Sequence, residues 1–200
     1  MSLAGLILAA GESRRMGSPK ALLELGGETF LDRLILVFGQ VCDPVIVVLG
    51  HEPQRVRAGL RCADLAQLVW NPDYRQGQLT SLQHGLAEVS PESPGVLFTP
   101  VDYPAVLPST VAQIVRLFRE RKPDELLAIP RFEGRRGHPV CAARELIPEF
   151  MALSAEARAR DVIHRHLEHT VYADVDDPAI LDDVDDPEAY LHLKSLERRL

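Results

Sequence analysis

A loop near the start of the chain gathers Arg14, Arg15 and Lys20 beside Gly11, Ser13 and Gly17, in the segment Leu8-Ala9-Ala10-Gly11-Glu12-Ser13-Arg14-Arg15-Met16-Gly17-Ser18-Pro19-Lys20. A glycine-containing loop can turn its backbone N–H groups inward, and cations on the same loop add full charges. Dipoles and cations can then meet one anion together, which suits the triphosphate of a nucleotide. Two other phosphate-binding patterns fit less well. A Walker A loop needs Lys directly after its second Gly, where Ser18 stands, and G-x-G-x-x-G needs Gly where Ser13 stands. Glu52, shortly after the apolar run Val45 to Leu49, could mimic the ribose-binding acid of a dinucleotide site. The bland alternative is a turn with solvated arginines.

A second reactive segment is Thr99-Pro100-Val101-Asp102-Tyr103-Pro104. Prolines on both sides of Asp102 stiffen the backbone and hold one carboxylate at the end of an apolar run. Nucleotide chemistry needs such a group, because Mg²⁺ bridges phosphates while taking one or two carboxylates and keeping waters. Asp102 is therefore the first choice as metal ligand. His164, His166 and His169 do not share one helical face, so they make a poor zinc site. Cys42, Cys62 and Cys141 form neither a zinc pattern nor a disulfide framework, and Cys42 and Cys141 have apolar neighbours that predict burial.

The first loop resembles the L-A-A-G-x-S-x-R-M-G-x-P-K signature of the nucleotidyltransferases that act on the molybdenum cofactor, and of their relatives. The resemblance extends over nearly the whole chain in ordered segments. Asn71, Gly77, Ser81 and Leu82 match an N-x-x-x-x-x-G-x-x-x-S-L pattern, and Gly137-His138-Pro139 matches a G-x-P turn. Arg160 matches the Arg of a G-A-R-x-V-I piece whose Gly is replaced by Arg158. Asp182-Asp183-Val184-Asp185-Asp186-Pro187-Glu188 resembles D-I-D-T-P-E-D, with Asp186 in place of Thr and Ala189 in place of the last Asp.

The resemblance implies a role for each segment. Leu8, Ala9, Ala10, Gly11, Ser13, Arg14, Arg15, Gly17, Lys20, Asn71, Gly77 and Ser81 would bind the nucleotide. Arg15, Lys20 and Asp102 would be catalytic. Asp102 with Asp183, or less favourably Asp185, would hold Mg²⁺. His138 and Arg131 would face the acceptor, although a lone exposed turn histidine is more often a bystander than a ligand, and Arg131, Arg135 and Arg136 are equally plausible as solvated hairpin residues. Asp186 is expected to cap the final helix. L-A-A-G rather than L-A-G-G, and the S-P-K ending, point toward the cytidylyltransferase branch, with CTP as nucleotide and a molybdopterin-type phosphate as acceptor. The alternatives are a sugar-phosphate nucleotidyltransferase and a nucleotide-binding module without transfer activity.

The implied reaction is attack by an acceptor phosphate oxygen on the α-phosphorus of the triphosphate, expelling pyrophosphate. A phosphate monoester has a second pKa of about 6 and is mostly dianionic near neutral pH, so it needs no general base. That agrees with the lack of a Ser/His/Asp or Cys/His pair.

The elements that must position these groups alternate along the chain. Strand-like runs are Leu3 to Ala9, Val45 to Leu49, Ala66 to Trp70, Val96 to Thr99, Leu126 to Ile129 and Thr170 to Val175. Phe30, Leu31, Leu34, Ile35 and Phe38 repeat at helical spacing, as do Val111, Ile114, Val115 and Phe118, with Ser109 or Thr110 as cap. A further helix near Leu82 to Val89 should start at Thr80 or Ser81, and a last one should run from Pro187 to about Arg199. The pattern predicts one domain over residues 1–200, a three-layer α/β fold with a mostly parallel sheet, and the resemblance implies that this is a Rossmann-like nucleotidyltransferase domain. Ile129 to Val140 predicts a small antiparallel excursion around a Gly-rich turn. Ligands in such sheets bind at the carboxyl ends of the strands, where both reactive segments lie.

The chain of 200 residues is 46% hydrophobic and 26% charged, enough to bury a core. A net charge of −7 argues against nucleic acid as a partner. No apolar run approaches a membrane span, and the first residues lack the basic region of a signal peptide, so the expectation is a cytoplasmic protein without a membrane partner. A monomer or weak oligomer is expected.

Overall fold

The computed structural model describes residues 2–154 and 156–197. Its main sheet is built on β1 (Ala4–Ala9), a six-residue run buried along its whole length. Two short strands, β2 (Glu24–Leu25) and β3 (Glu28–Thr29), form a separate antiparallel pair. The main sheet continues with β4 (Val45–Leu49), β5 (Gln67–Trp70) and β6 (Gly95–Pro100). It is completed by β7 (Leu127–Phe132), β8 (Arg135–Arg136), β9 (Val140–Ala143) and β10 (Thr170–Asp174). The strand order is β10-β7-β9-β6-β1-β4-β5, with β8 paired to β7. β1 lies parallel to both β4 and β6, β4 is parallel to β5, and β7 is parallel to β10. β1, β4 and β6 are continuous apolar strands because helices cover both faces of the sheet.

The helices are α1 (Phe30–Gly39), α2 (Pro53–Gly59), α3 (Gln78–Ala87), α4 (Pro108–Glu120), α5 (Ile147–Met151), α6 (Ala159–Arg165) and α7 (Pro187–Glu197). α1 and α4 place Phe30, Leu34, Phe38, Ile114 and Phe118 in one core. α3, α5 and α6 place Leu82, Leu86, Phe150 and Val162 in a second core on the opposite face. Gly85 lets α3 approach the sheet closely: a Cβ there would lie 2.3 Å from Leu6 Cδ1 and 2.9 Å from Val48 Cγ2.

The expected α/β architecture with a mostly parallel sheet is present, with local departures. The expected antiparallel segment is present, and β9 is taken into the main sheet, antiparallel to β6 and β7. α4 is not capped by Ser109 or Thr110. It starts at Pro108, and the buried Asp177 carboxylate accepts from Leu107 N–H at 2.9 Å and from the Thr110 hydroxyl at 2.7 Å. A carboxylate from a distant turn thus replaces the local cap. α3 begins at Gln78, ahead of Thr80, because Gly77 adopts φ +122°, a conformation open chiefly to glycine. The three residues after Glu197, where the last helix was expected to end, lie outside the described residues. No helix among the described residues is long and apolar enough to cross a membrane.

The parallel register sets Leu8 beside Pro100 and Ala9 beside Leu49. Val101 N–H donates to Leu8 C=O at 3.0 Å, so the segment carrying Asp102 leaves the sheet next to the cationic loop.

Candidate active site

The loop after β1 is closed by its own serine. Ser13 takes φ +51° and Gly17 φ +69°; Met16 N–H donates to Ser13 C=O, and Lys20 N–H donates to Ser13 Oγ, both at 2.9 Å. Pro19 then starts a single 3-10 turn that directs Lys20 across the end of the sheet. Lys20 Nζ lies 2.6 Å from Asp185 Oδ1 and 3.1 Å from Asp102 Oδ1, with its side chain only 11% exposed. Arg15 Nη2 reaches Asp185 Oδ2 at 2.8 Å. Two strand-end loops and the turn before α7 therefore converge on one ammonium.

Asp185 is delivered by the backbone. Val184 is buried, and its N–H donates to Asp102 C=O at 2.9 Å, pinning the acidic turn to the end of β6. Asp186 accepts from Ala189 N–H at 2.9 Å and so caps α7 as expected. Burial pushes the Asp102 carboxyl up; the Lys20 ammonium opposes this, while Asp185 and Asp183 add to it. Hydrogen bonding from Lys20 pulls Asp185 down. Burial, with the charges of Asp183, Asp102 and Asp185, pushes Tyr103 up to about 12. All three carboxylates thus act within one negative field. Asp185, rather than the favoured Asp183, faces Asp102 across Lys20.

The cations open onto a cleft of about 270 Å³ at the carboxyl ends of β1, β4 and β6. Leu8, Ala9, Ala10, Gly11, Ser13, Arg14, Arg15, Lys20, Ser81 and Asp102 line it. Gly17 shapes the loop without facing the cleft, and Gly77 faces a neighbouring cleft. Asn71 stands behind the wall, fully buried. Its Nδ2 donates to Thr80 Oγ1 and Ser81 Oγ at 3.0 Å each, and its Oδ1 accepts from Asp73 N–H at 2.8 Å. Its amide fastens the start of α3 instead of meeting a ligand. Arg14 is turned outward onto Glu12, which also pairs with Arg75.

Sequence reasoning missed His51, Tyr74 and Gln78, which complete this wall; His51 Nδ1 lies 3.3 Å from the Tyr74 hydroxyl. The signal for His51 was its place just beyond the carboxyl end of β4.

A second cleft of about 490 Å³ shares Leu8 and Gln78 with the first. Leu79, Leu82, Phe98 and Ile163 give it apolar walls, and Arg158 and Arg160 contribute cations. His138 also lines it, but not as an exposed turn residue. The His138–Pro139 peptide is cis, His138 N–H donates to Ile180 C=O at 2.9 Å, and the ring lies 4.7 Å from that of Tyr103. Its Nδ1 is buried without a partner, and burial pulls the imidazole down to about 4, so it is neutral at physiological pH. Arg131 lines neither cleft. It makes a two-pronged ion pair with Asp174 on the sheet edge, at 2.7 and 2.9 Å, and reaches over Tyr172. The cations at the second cleft are instead Arg158 and Arg160, and Arg158 is the residue that departs from the family's glycine.

No group of three His, Cys, Asp or Glu side chains among the described residues is arranged to hold a metal. His166 bonds Glu149 at 2.8 Å rather than joining His164 and His169 in a site. Asp102 and Asp185 nevertheless already converge on a cation, the Lys20 ammonium. Two carboxylates from separate elements could hold a Mg²⁺ ion, which takes one or two carboxylates and would supply charge neutralisation.

Residues 5–171 match the family described as MobA-like NTP transferase domain. The chain is 25% identical over 189 residues to the molybdenum cofactor cytidylyltransferase of Escherichia coli K12, covering 94% of each chain. It is 30% identical to a probable molybdenum cofactor guanylyltransferase of Bacillus cytotoxicus, covering 82% of this chain and 81% of the other. A 37% match to the bifunctional protein GlmU of Bifidobacterium animalis covers 58% of this chain but only 27% of that protein. The crystal structure of Rv0371c from Mycobacterium tuberculosis superposes with a TM-score of 0.80 at 26% identity, covering 98% of this chain and 99% of that one.

Proposed function

The chain belongs to the family of MobA-like NTP transferase domains, and on that premise we propose that it transfers CMP from CTP to the phosphate of a molybdopterin-type acceptor, releasing pyrophosphate. The observation that carries this reading is the convergence of Arg15, Lys20, Asp102 and Asp185 beside a second cleft with apolar walls and two arginines. L-A-A-G in place of L-A-G-G supports CTP over GTP.

In this reading the triphosphate lies against the first loop, with Lys20 and Arg15 neutralising its charge and stabilising the departing pyrophosphate. His51, Tyr74 and Gln78 border the nucleoside. Arg158 and Arg160 orient the acceptor phosphate, and the apolar walls hold the rest of the acceptor. His138 stays neutral and contributes packing and hydrogen-bonding capacity rather than charge. Asp102 and Asp185 would hold Mg²⁺, which when bound supplies charge neutralisation and alignment of the phosphates. No base is needed, because the nucleophile is already an anion. The protein's contribution is positioning and preorganised charge.

The test is pyrophosphate release with Mg²⁺ from CTP, GTP, UTP and ATP, each with molybdenum-loaded molybdopterin and with sugar 1-phosphates. Release from CTP with molybdopterin supports the proposal. Release dependent on GTP reassigns the base, and release dependent on a sugar phosphate reassigns the acceptor. Nucleotide binding without release with any acceptor would leave a binding module.

A further inference from the structure

The same ammonium sits where a metal and a triphosphate would have to meet. Lys20 Nζ is within ion-pair distance of both Asp102 and Asp185, and Arg15 holds the second oxygen of Asp185. We propose that Lys20 is the resident cation of the two-carboxylate site and couples metal binding to nucleotide binding. The ammonium holds Asp102 and Asp185 together until a triphosphate draws it away, and the carboxylates then accept a divalent ion more readily. This inference rests on the nucleotidyltransferase reading of the cleft.

The physical argument is competition for two acceptors. An ammonium and a divalent cation at the same carboxylate oxygens repel each other strongly in a partly enclosed site, so the two compete for these acceptors. A metal arriving alone would leave Lys20 with neither partner in a cleft where its side chain is 11% exposed. A triphosphate supplies new anionic partners on the adjoining wall. The backbone at Lys20 need not move, since Ser13 Oγ and the turn after Pro19 fix it. Only the flexible side chain has to swing. By linkage, whatever nucleotide does for metal affinity, metal does for nucleotide affinity.

The experiment measures Mn²⁺ binding to the nucleotide-free protein by electron paramagnetic resonance. The wild type is compared with Lys20→Met and Lys20→Gln, with Lys20→Arg as the charge-retaining control. Thermal unfolding verifies that each variant is folded, and the two neutral variants serve as replicates should one fail. Both neutral variants are expected to bind Mn²⁺ about tenfold more tightly than wild type, as expected for losing two partly buried ion pairs. Lys20→Arg should stay as weak as wild type. Adding Asp102→Asn to Lys20→Met should abolish the gain. Equal Mn²⁺ affinity in wild type and both neutral variants overturns the proposal, as does a gain that survives Asp102→Asn. Failure of the nucleotide reading of the cleft is distinguishable: wild-type protein would then bind none of CTP, GTP, UTP and ATP with Mn²⁺ present, whatever the metal affinities.

Discussion

Lys20 Nζ and Asp185 Oδ1 are 165 residues apart in the chain and 2.6 Å apart in space. The first belongs to the turn after β1 and the second to the turn before α7. Their meeting depends on Val184, whose buried side chain and N–H bond to Asp102 C=O dock the acidic turn onto the end of β6. The ion pair therefore reports on the assembly of three separate chain segments, and replacements around it should separate charge from positioning.

Asp102→Asn should reduce turnover by at least about 10², the loss typical of one charged contact at a reacting phosphate. It should also raise the melting temperature at neutral pH. The folded pKa of Asp102 is raised, mainly by burial, above its ordinary value of 3.8. The folded state therefore holds the proton more tightly than the unfolded chain, and ionisation costs stability above the folded pKa. Asparagine removes that cost, so the gain should vanish below about pH 3.8, where the carboxyl is protonated in both states. Thermal unfolding of both proteins across pH checks this; a constant difference would contradict it.

Arg15 and Arg14 are adjacent but should behave differently. Arg15 reaches Asp185 at the carboxylate end of the cleft, whereas Arg14 is 83% exposed and paired with Glu12. Arg15→Ala should lower kcat/KM by about 10². Arg14→Ala should lower it by less than about fivefold, as for an exposed ion pair. Steady-state kinetics with CTP decide between this and equal effects.

Asn71→Ala should cost about 2–3 kcal/mol, because Thr80 Oγ1, Ser81 Oγ and Asp73 N–H each lose a partner behind the cleft wall. With Ser81 and Gln78 loosened, KM for nucleotide should rise more than kcat falls. Urea unfolding gives the first quantity and kinetics the second.

Gly85→Ala forces a methyl onto Leu6 and Val48. The overpacking should cost about 1–3 kcal/mol, partly offset by the roughly 1 kcal/mol better helix propensity of alanine. Because α3 carries Gln78 and Ser81 into the cleft, nucleotide affinity should fall with stability. Isothermal titration and thermal melts should move together; an unchanged affinity would show that the start of α3 is insulated from its middle.

His138→Gln should flatten the acid side of the stability profile. The folded imidazole is pulled from 6.5 down to about 4, so between these values the unfolded chain binds the extra proton. Wild-type stability therefore falls as pH drops through that window, by no more than about 3 kcal/mol, and the variant lacks this loss. Denaturant unfolding at pH 7.5, 5 and 4 measures the difference. Parallel profiles would mean that His138 titrates like a solvated histidine.

The sequence by itself determined the three-layer α/β class and the strand ends that carry the candidate site. Apolar runs such as Leu3 to Ala9 and Val45 to Leu49 are readable because strands buried on both faces need no polar alternation. The cationic loop and Asp102 were legible because each is compact in sequence and lies just beyond such a run. Tertiary structure decided everything that depends on the docking of distant segments. It turned Asn71 into a support, because Thr80 and Ser81 take up its amide. It withdrew Arg131 to Asp174 on the sheet edge and enclosed His138 against Tyr103. It set Asp185 rather than Asp183 across Lys20 from Asp102, and gave α4 a cap from Asp177. In each case the partner lies far along the chain or on another element, and local spacing carries no information about which acceptor a donor will reach once the core has closed.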